Sequence, residues 1–496
     1  MNVMPKFSSI EYKRPDFDLL SKQFNELLTR FDRAATPEEQ SQLLKSINEL
    51  RKEFQTFSTI AAVRNSIDVT DAFYETEKSY FDKHEPMFRD LYIRFYKSLG
   101  NTPFKADLEK KFGNRLFKIA ELALKSFNPD VIEDLQEENR LCTEYQKLIA
   151  EIQVEFKGKK LNLPQLEPYE QSIDRSEREQ AVRAKYEQMN HYLKAFDALF
   201  DKLVHVRTKI AHKLGYENFI KLAYNRLGRT DYDEKDVAAF REHIQKYVVP
   251  VCSTLRKRQA ERLGLEKLEF YDSQVFFKDG NPKPKGSPEW IIEKGREMYS
   301  ALSPETREFF DFMIQNELMD LVAKKGKVSG GYCTHLSKYK APFIFSNFNG
   351  TSHDVDVLTH EAGHAFQFFQ SRHLDLDEYA FPTYDACEIH SMSMEYFAFP
   401  WAHLFFGDDV HKYKLLHVHT ALLFLPYGTA VDEFQHIVYA NPQLSPEERR
   451  KIWIDMEKKY RPEVNYSGID FLLKGGLWMR QQHIFRTPFY YIDYCL

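Results

Sequence analysis

The sequence predicts a mainly α-helical body of two lobes with one small β-sheet, and three observations predict it. Gly and Pro are few, 19 and 21 in 496 residues, so turns are sparse and helices can run long. The first half repeats apolar residues at helical spacing, i, i+3, i+4 and i+7, in segment after segment. Runs of β-branched and aromatic residues between Gly and Pro occur only in the second half.

In chain order, "EPMFRDLYIRFYKSLGN" places Phe88, Leu91, Tyr92, Phe95, Tyr96 and Leu99 on one helical face, with Gly100 as the expected C-terminal cap. "NRLFKIAELALKSFNPD" repeats the pattern with Leu116, Ile119, Ala120, Ala123 and Leu124 and should stop at Asn128-Pro129. "HYLKAFDALFDKLVHVRTKIAHKLG" reads as one long amphipathic helix closed by Gly215. "DGNPKPKGSP" (Asp279–Pro288) is the clearest loop. The strand signals lie in "KLEFYDSQVFF" and in "KVSGGYCTHLSKYKAPFIFSNF", the latter just ahead of a His-bearing helix. The expected division is an N-terminal helical lobe over 1–195 and a catalytic lobe over 196–496.

Hydrophobic residues at 43% and charged residues at 29% are those of a globular protein with material for a large core. A net charge of −5 argues against nucleic acid and anionic membranes as partners. Cys142, Cys252, Cys333, Cys387 and Cys495 are widely spaced and odd in number, so no disulfide framework is expected and a reducing cytoplasm is the expected compartment. "MNVMPKFSSIEYKRPDF" lacks the apolar run of a signal peptide. "TALLFLPYGTAV" reads as broken by Pro426 and Gly428 and too short to span a bilayer. Nothing calls for an obligatory protein partner.

The chemistry concentrates in "NGTSHDVDVLTHEAGHAFQFFQ". Thr351 or Ser352 can cap this helix, and Asp354 and Asp356 place negative charge at its positive end. His360 and His364 are four apart, so their Cβ atoms lie about 5–6 Å from one another on one face and both imidazoles can reach one ion. Glu361 is rotated off that face beside the first imidazole, where it can act as general base on a metal-activated water. In "YDACEIHSMSMEYFAF", Glu388 can supply the third ligand, and Ser391, Met392 and Glu395 share its face. Two His, one Glu and one open position make the catalytic form of a zinc site, one Zn²⁺ per chain. The chain has 17 His and 74 acidic residues, so chance spelling on a solvated helix is the rival reading. Ala362, Gly363, Ala365, Phe366 and Phe368 weigh against it, because they make the helix look buried, and buried His and Glu side chains need partners. Glu395 and Asp356 are candidates to orient a ligand imidazole, and Cys387 reads as a small buried neighbour of Glu388.

These motifs resemble the zinc oligopeptidase family of thimet oligopeptidase and oligoendopeptidase F, nearest the oligoendopeptidase F branch. The similarity covers about residues 205–496 and is strongest in "GGYCTHLSKYKAPFIFSNFNGTSHDVDVLTHEAGHAFQ", "EIHSMSMEYF" and "HIFRTPFYYIDY". The resemblance implies zinc held by His360, His364 and Glu388, with Glu361 as base. It also implies a two-lobed helical metallopeptidase with a deep central channel that admits short unstructured peptides. A Gly-rich loop and an edge strand beside the active helix would hold the peptide backbone, here Gly330, Gly331, Tyr332, Phe345 and Asn347. His483, Tyr490, Tyr491 and Tyr494 match the residues that stabilise the tetrahedral intermediate. Members of the family usually continue for some tens of residues beyond the position where "YYIDYCL" ends this sequence, which leaves the packing behind Tyr494 open.

The expected activity is zinc-dependent hydrolysis of internal bonds in oligopeptides. The alternatives are a helical zinc carboxypeptidase, which needs a grip on the free peptide carboxylate, and a non-catalytic metal- or peptide-binding scaffold, which needs no Glu361.

Overall fold

The computed structural model describes residues 4–496, so the first three residues of the expected N-terminal lobe lie outside it. The fold is mainly α. The N-terminal part begins with α1 (Phe17–Arg33), α2 (Pro37–Ile67) and α3 (Ala72–Gly100). Each starts on a side-chain cap: Asp16 accepts from Leu19 N, Thr36 from Glu39 N, and Asp71 from Phe73 N and Tyr74 N. Their facing sides interlock through aromatic rings, with Phe54 stacked on Phe88 at 4.1 Å and Phe31 edge-on to Phe95 at 5.4 Å. Each ring so buried contributes roughly 1.5–3 kcal/mol. α4 (Arg115–Lys125) packs on α3 and ends before Asn128-Pro129, as its periodicity predicts. α5 (Ile132–Glu151) then runs beside α3 and leads into a hairpin, β1 (Val154–Phe156) and β2 (Lys159–Leu161), turned by Lys157 and Gly158 at positive φ.

α6 (Arg175–His191) and α7 (Leu193–Lys213) divide the long helix expected across "HYLKAFDAL". The Tyr192 N–H bonds back to Met189 O, a tight turn that starts a new helix at Leu193, while Gly215 closes α7 at φ 80° as expected. Gly100 does not cap α3. It lies in the last helical turn, and Asn101 follows it with its N–H on Lys97 O. After α8 (Val249–Leu263) the segment "KLEFYDSQVFF" is no strand. It forms a 3₁₀ turn at Phe270–Asp272 and a loop whose polar groups are taken by side chains. Asn281 Oδ1 accepts from Phe276 N at 2.8 Å, and Arg175 and Arg178 clasp Asp272. The apolar run reflects burial against helices, which strands and pinned loops share.

α9 (Pro288–Leu302) and α10 (Pro304–Gln315) precede the sheet that positions the site. Its order is β3–β5–β4, with β3 (Met319–Val322) parallel and β4 (Tyr332–Leu336) antiparallel to the central β5 (Ala341–Phe348). The structure thus has two small sheets where one was expected, and β3 escaped the sequence reading because four residues carry too little alternation. β5 feeds directly into α11 (His353–Ser371), which lies across the sheet and against α12 (Tyr384–Phe397). Gly363 permits that approach: a Cβ there would stand 2.6 Å from Ser391 Cα and 2.7 Å from His390 O.

α13 (Val410–Ala440) passes unbroken through Pro426 and Gly428, against expectation, because packing on α14 (Pro446–Tyr460) and the C-terminal segment holds the interrupted turn. Among the described residues no helix is long and apolar enough to cross a membrane. The short α15 (Gln482–Arg486) and a 3₁₀ turn at Tyr491–Tyr494 end the chain as it is given. They are tied down by buried arginines. Arg207 reaches Glu138, Tyr439 OH and Phe485 O, and Arg229 holds Phe489 O at 2.7 Å and Asp493 at 2.9 Å. Tyr494 packs behind the site against Phe424, Tyr490 and Tyr491.

Candidate metal centre

α11 begins without a side-chain bond from Thr351 or Ser352 to its first turn. Asp354 does that work from inside the helix, accepting from Asn349 N at 2.9 Å and Gly350 N at 2.8 Å, so the turn from β5 is fixed and the register of α11 with it. One turn later the helix presents His360 and His364, and α12 returns Glu388 between them. Glu388 Oε2 lies 3.1 Å from His360 Nε2 and 3.3 Å from His364 Nε2, and one ligand atom from each residue falls within 4.8 Å of the others.

This donor set fits a zinc ion. Burial disfavours charge on His360 and on Glu388, yet their mutual attraction wins: the Glu388 and Glu395 carboxylates hold the His360 pKa well above the ordinary value, and the two imidazoles hold Glu388 well below it. A trio that retains a proton against burial is one that favours a cation among its lone pairs. Nitrogen and carboxylate donors suit Zn²⁺.

Each of the three side chains is held from behind. Glu395 Oε1 accepts from His360 Nδ1 at 2.7 Å, and its Oε2 lies 2.8 Å from His417 Nε2 on α13. His364 Nδ1 meets His390 Nε2 at 3.1 Å; burial and the neighbouring His364 push the His390 pKa down to about 4, so His390 is neutral. Glu388 takes a hydrogen bond from Ser391 Oγ at 2.7 Å and another from Tyr490 OH, whose oxygen also lies 2.9 Å from Cys387 Sγ. Asp356 does not orient an imidazole. It accepts from Tyr413 OH at 2.7 Å, because its position one turn earlier points it toward α13.

Glu361 is 7% exposed and its Oε2 has no hydrogen-bond partner. Burial raises its pKa, with the two imidazoles acting against the rise. An unpartnered buried carboxylate beside three such donors can serve as a proton acceptor. Gly331 leaves room for it, since a Cβ there would be 3.3 Å from Glu361 Oε1; Gly330 needs its φ of 95° and would meet Gln482 Nε2 at 2.6 Å.

Of the residues expected to hold a peptide, Gly331 and Tyr332 line a cleft of about 250 Å³ over the His-Glu-His group, and Gly330 lines its continuation on the other side of that group. Phe345 does not line it: it is 0% exposed and stacks under Tyr332 at 4.8 Å. Asn347 turns away too, its Nδ2 donating to Val328 O at 2.8 Å and Gly330 O at 2.7 Å, so it shapes the Gly loop from below. β5 is the central strand, and only the edge strand β4 faces the cleft.

The C-terminal residues converge on the same place. Tyr427 OH donates to Gln481 Oε1 at 3.2 Å, which leaves Gln481 Nε2 to donate to His483 Nδ1 at 2.7 Å. Burial lowers the His483 pKa to about 4, so the ring is neutral with its proton on Nε2, 3.3 Å from Tyr494 OH. Burial and the Glu388 charge hold the Tyr494 pKa well above the ordinary value, so it keeps its proton as a donor. Tyr490 is engaged with Glu388, and Tyr491 packs edge-on to Phe424 and Tyr427. His390, His417, Gln481 and Arg486, which also lines the cleft, escaped the sequence reading. None stands at a motif spacing from His360, His364 or Glu388, and the i+2 offset of His390 from Glu388 puts the two on different helical faces.

Residues 169–495 match Peptidase family M3, and residues 7–127 match the Peptidase M3 N-terminal domain. An oligoendopeptidase F homolog of Mycoplasma pneumoniae is 23% identical over 392 residues, 71% of this chain, and the chain spans 60% of that relative's length. The structure of a Bacillus anthracis protein described as a putative oligoendopeptidase F superposes with a TM-score of 0.93 at 48% identity, covering 100% of this chain and 87% of the other. That of Pz peptidase A with an inhibitor superposes with a TM-score of 0.98 at 52% identity, covering 99% and 87%.

Proposed function

Because the chain belongs to peptidase family M3, in its oligoendopeptidase F branch, we propose that it is a zinc-dependent endopeptidase that hydrolyses internal bonds of short, unstructured peptides. The observation that carries this reading is the convergence of His360 Nε2, His364 Nε2 and Glu388 Oε2 beside the unpartnered Glu361 Oε2. His360, His364 and Glu388 would hold the ion. When bound, zinc supplies a Lewis acid that acidifies water and polarises a carbonyl.

The chain's own groups do the rest. Glu361 Oε2 takes the proton of the attacking water and passes it to the leaving nitrogen, the two halves of general base and acid catalysis; burial raises its pKa. Tyr494 OH, with its oxygen facing His483 Nε2, has its own proton free to donate to the oxyanion growing on the peptide carbonyl, a contribution of about 10²–10³ in rate for one such donor. Tyr490 holds Glu388 rather than substrate. The β4 edge and the Gly loop offer backbone groups to an extended peptide, which supports unstructured chains as substrates. The net charge of −5 supports no role for nucleic acid or anionic membranes.

The test is cleavage of an internally quenched, C-terminally amidated peptide by zinc-loaded protein, with and without chelator. Internal cuts abolished by chelator and restored by zinc are expected. Glu361→Gln should retain one zinc per chain and lose about 10²–10⁴ in kcat. A scaffold would show no turnover in any arm, and a carboxypeptidase would spare the amidated peptide.

A further inference from the structure

Two clefts flank the His-Glu-His group and share His360, Glu361 and His483, so they form two arms of one groove. One arm is walled by aromatic side chains, among them Tyr332, Phe381 and Tyr384, and at its rim stands Arg486. Arg486 is in the last turn of α15 and is exposed. Its one side-chain hydrogen bond is to Gln482 Oε1 at 3.2 Å, and among the described residues no carboxylate pairs with it. The buried arginines that tie down the C-terminal segment are committed, Arg207 to Glu138 and Arg229 to Asp493, whereas Arg480, which lines the other arm, has no carboxylate partner among the described residues. Arg486 is close enough to the arm's interior that its charge acts on Tyr332, Tyr384 and His483.

We propose that Arg486 is a specificity-determining residue that binds a carboxylate of the peptide in this arm of the groove, either the peptide's C-terminus or an acidic side chain. The inference rests on the peptidase reading above. Among the described residues that line this arm, Arg486 is the only Arg or Lys, so it is the side-chain cation available to a substrate anion away from the metal centre. A guanidinium with a free fork answers a carboxylate through two parallel hydrogen bonds, which an ammonium cannot. Apart from the contact with Gln482 Oε1, no side-chain acceptor among the described residues competes for Arg486.

The experiment uses one internally cleaved peptide in two matched pairs: C-terminal acid against amide, and Glu against Gln beside the cut. Wild type, R486A and R486K, all zinc-loaded, are compared by KM and kcat. The wild type is expected to favour the carboxylate member of one pair about tenfold in kcat/KM, the low end for a hydrogen bond to a charged group because Arg486 is exposed. The preference should reside in KM and shrink in 0.5 M salt, where the Debye length lies between about 3 and 10 Å and exposed pairs are screened. R486A should bring the ratio near unity with kcat retained, and R486K should fall between. The pair that responds identifies the source of the carboxylate. Indifference of the wild type to both pairs, or a preference that survives in R486A, overturns the proposal. The same labelled peptides are titrated by fluorescence anisotropy, so a lack of turnover, which would refute the peptidase reading, still leaves the carboxylate preference measured.

Discussion

Replacing Glu395 separates the grip of the ligands on the ion from the chemistry at it. Glu395 Oε1 lies 2.7 Å from His360 Nδ1, and the two side chains are only 14% and 18% exposed. A hydrogen bond to a charged group in such a setting is worth about 1.5–3 kcal/mol. At about 1.4 kcal/mol per factor of ten, Glu395→Ala should weaken zinc binding on the order of 10- to 100-fold, in line with losses seen on removing groups behind metal-bound histidines. The alanine also strips His417 Nε2 of the carboxylate 2.8 Å away, so α12 loses a tie to α13. Glu395→Gln keeps an oxygen for the Nδ1 proton but not its charge, and should lose about half of that free energy. The assay is competition of apo-protein with a chromophoric chelator for zinc, with thermal unfolding of the apo forms as control. A Glu395→Ala affinity within about twofold of wild type would refute the claim that this carboxylate sets the basicity and orientation of His360.

Gly363→Ala drives a Cβ into Ser391 Cα and His390 O, so α11 and α12 must part; the expected result is lost zinc affinity together with an overpacking penalty of about 1–3 kcal/mol in urea unfolding. Arg207→Met leaves Tyr439 OH and Phe485 O without their donor and Glu138 with Arg226 alone, and should lower stability by about 3–5 kcal/mol in the same assay. Burial lowers the Lys327 pKa to about 8 despite Asp320 beside it. Between pH 8 and the ordinary lysine value of 10.5 the unfolded chain therefore binds more protons than the folded one, and this residue makes stability rise with pH. Denaturation midpoints of wild type and Lys327→Met should move in the wild type's favour across that window, and parallel curves would contradict the lowered pKa.

What could be read from the chain was whatever one helix determines alone. The four-residue spacing of His360 and His364, the rotation of Glu361 off their face, and the seven-residue offset from Glu388 to Glu395 follow from helical geometry once two helices are granted. The mainly α character follows in the same way from periodicity and from the scarcity of Gly and Pro. Where local signals were ambiguous the reading failed. The aromatic run at 267–277 suits a strand, but its Phe276 N–H is taken by Asn281 and no partner strand is at hand. Pro426 breaks isolated helices, but α13 is held by its neighbours.

Tertiary structure decided which side chains from distant segments meet. Tyr490 lies 102 residues from Glu388 in the chain and donates to its carboxylate, and His417 reaches Glu395 from another helix. Asn347 and Phe345, both plausible contacts for a peptide, were turned beneath the Gly loop and Tyr332 by the pleat and central position of β5. The physical reason is one of range. Backbone hydrogen bonds and helical spacing act over a few residues and are written in the sequence, whereas the orientation of His360, His364 and Glu388 and the lack of a carboxylate partner for Arg486 depend on how α12, α13 and the C-terminal turns pack, which the chain settles only as a whole.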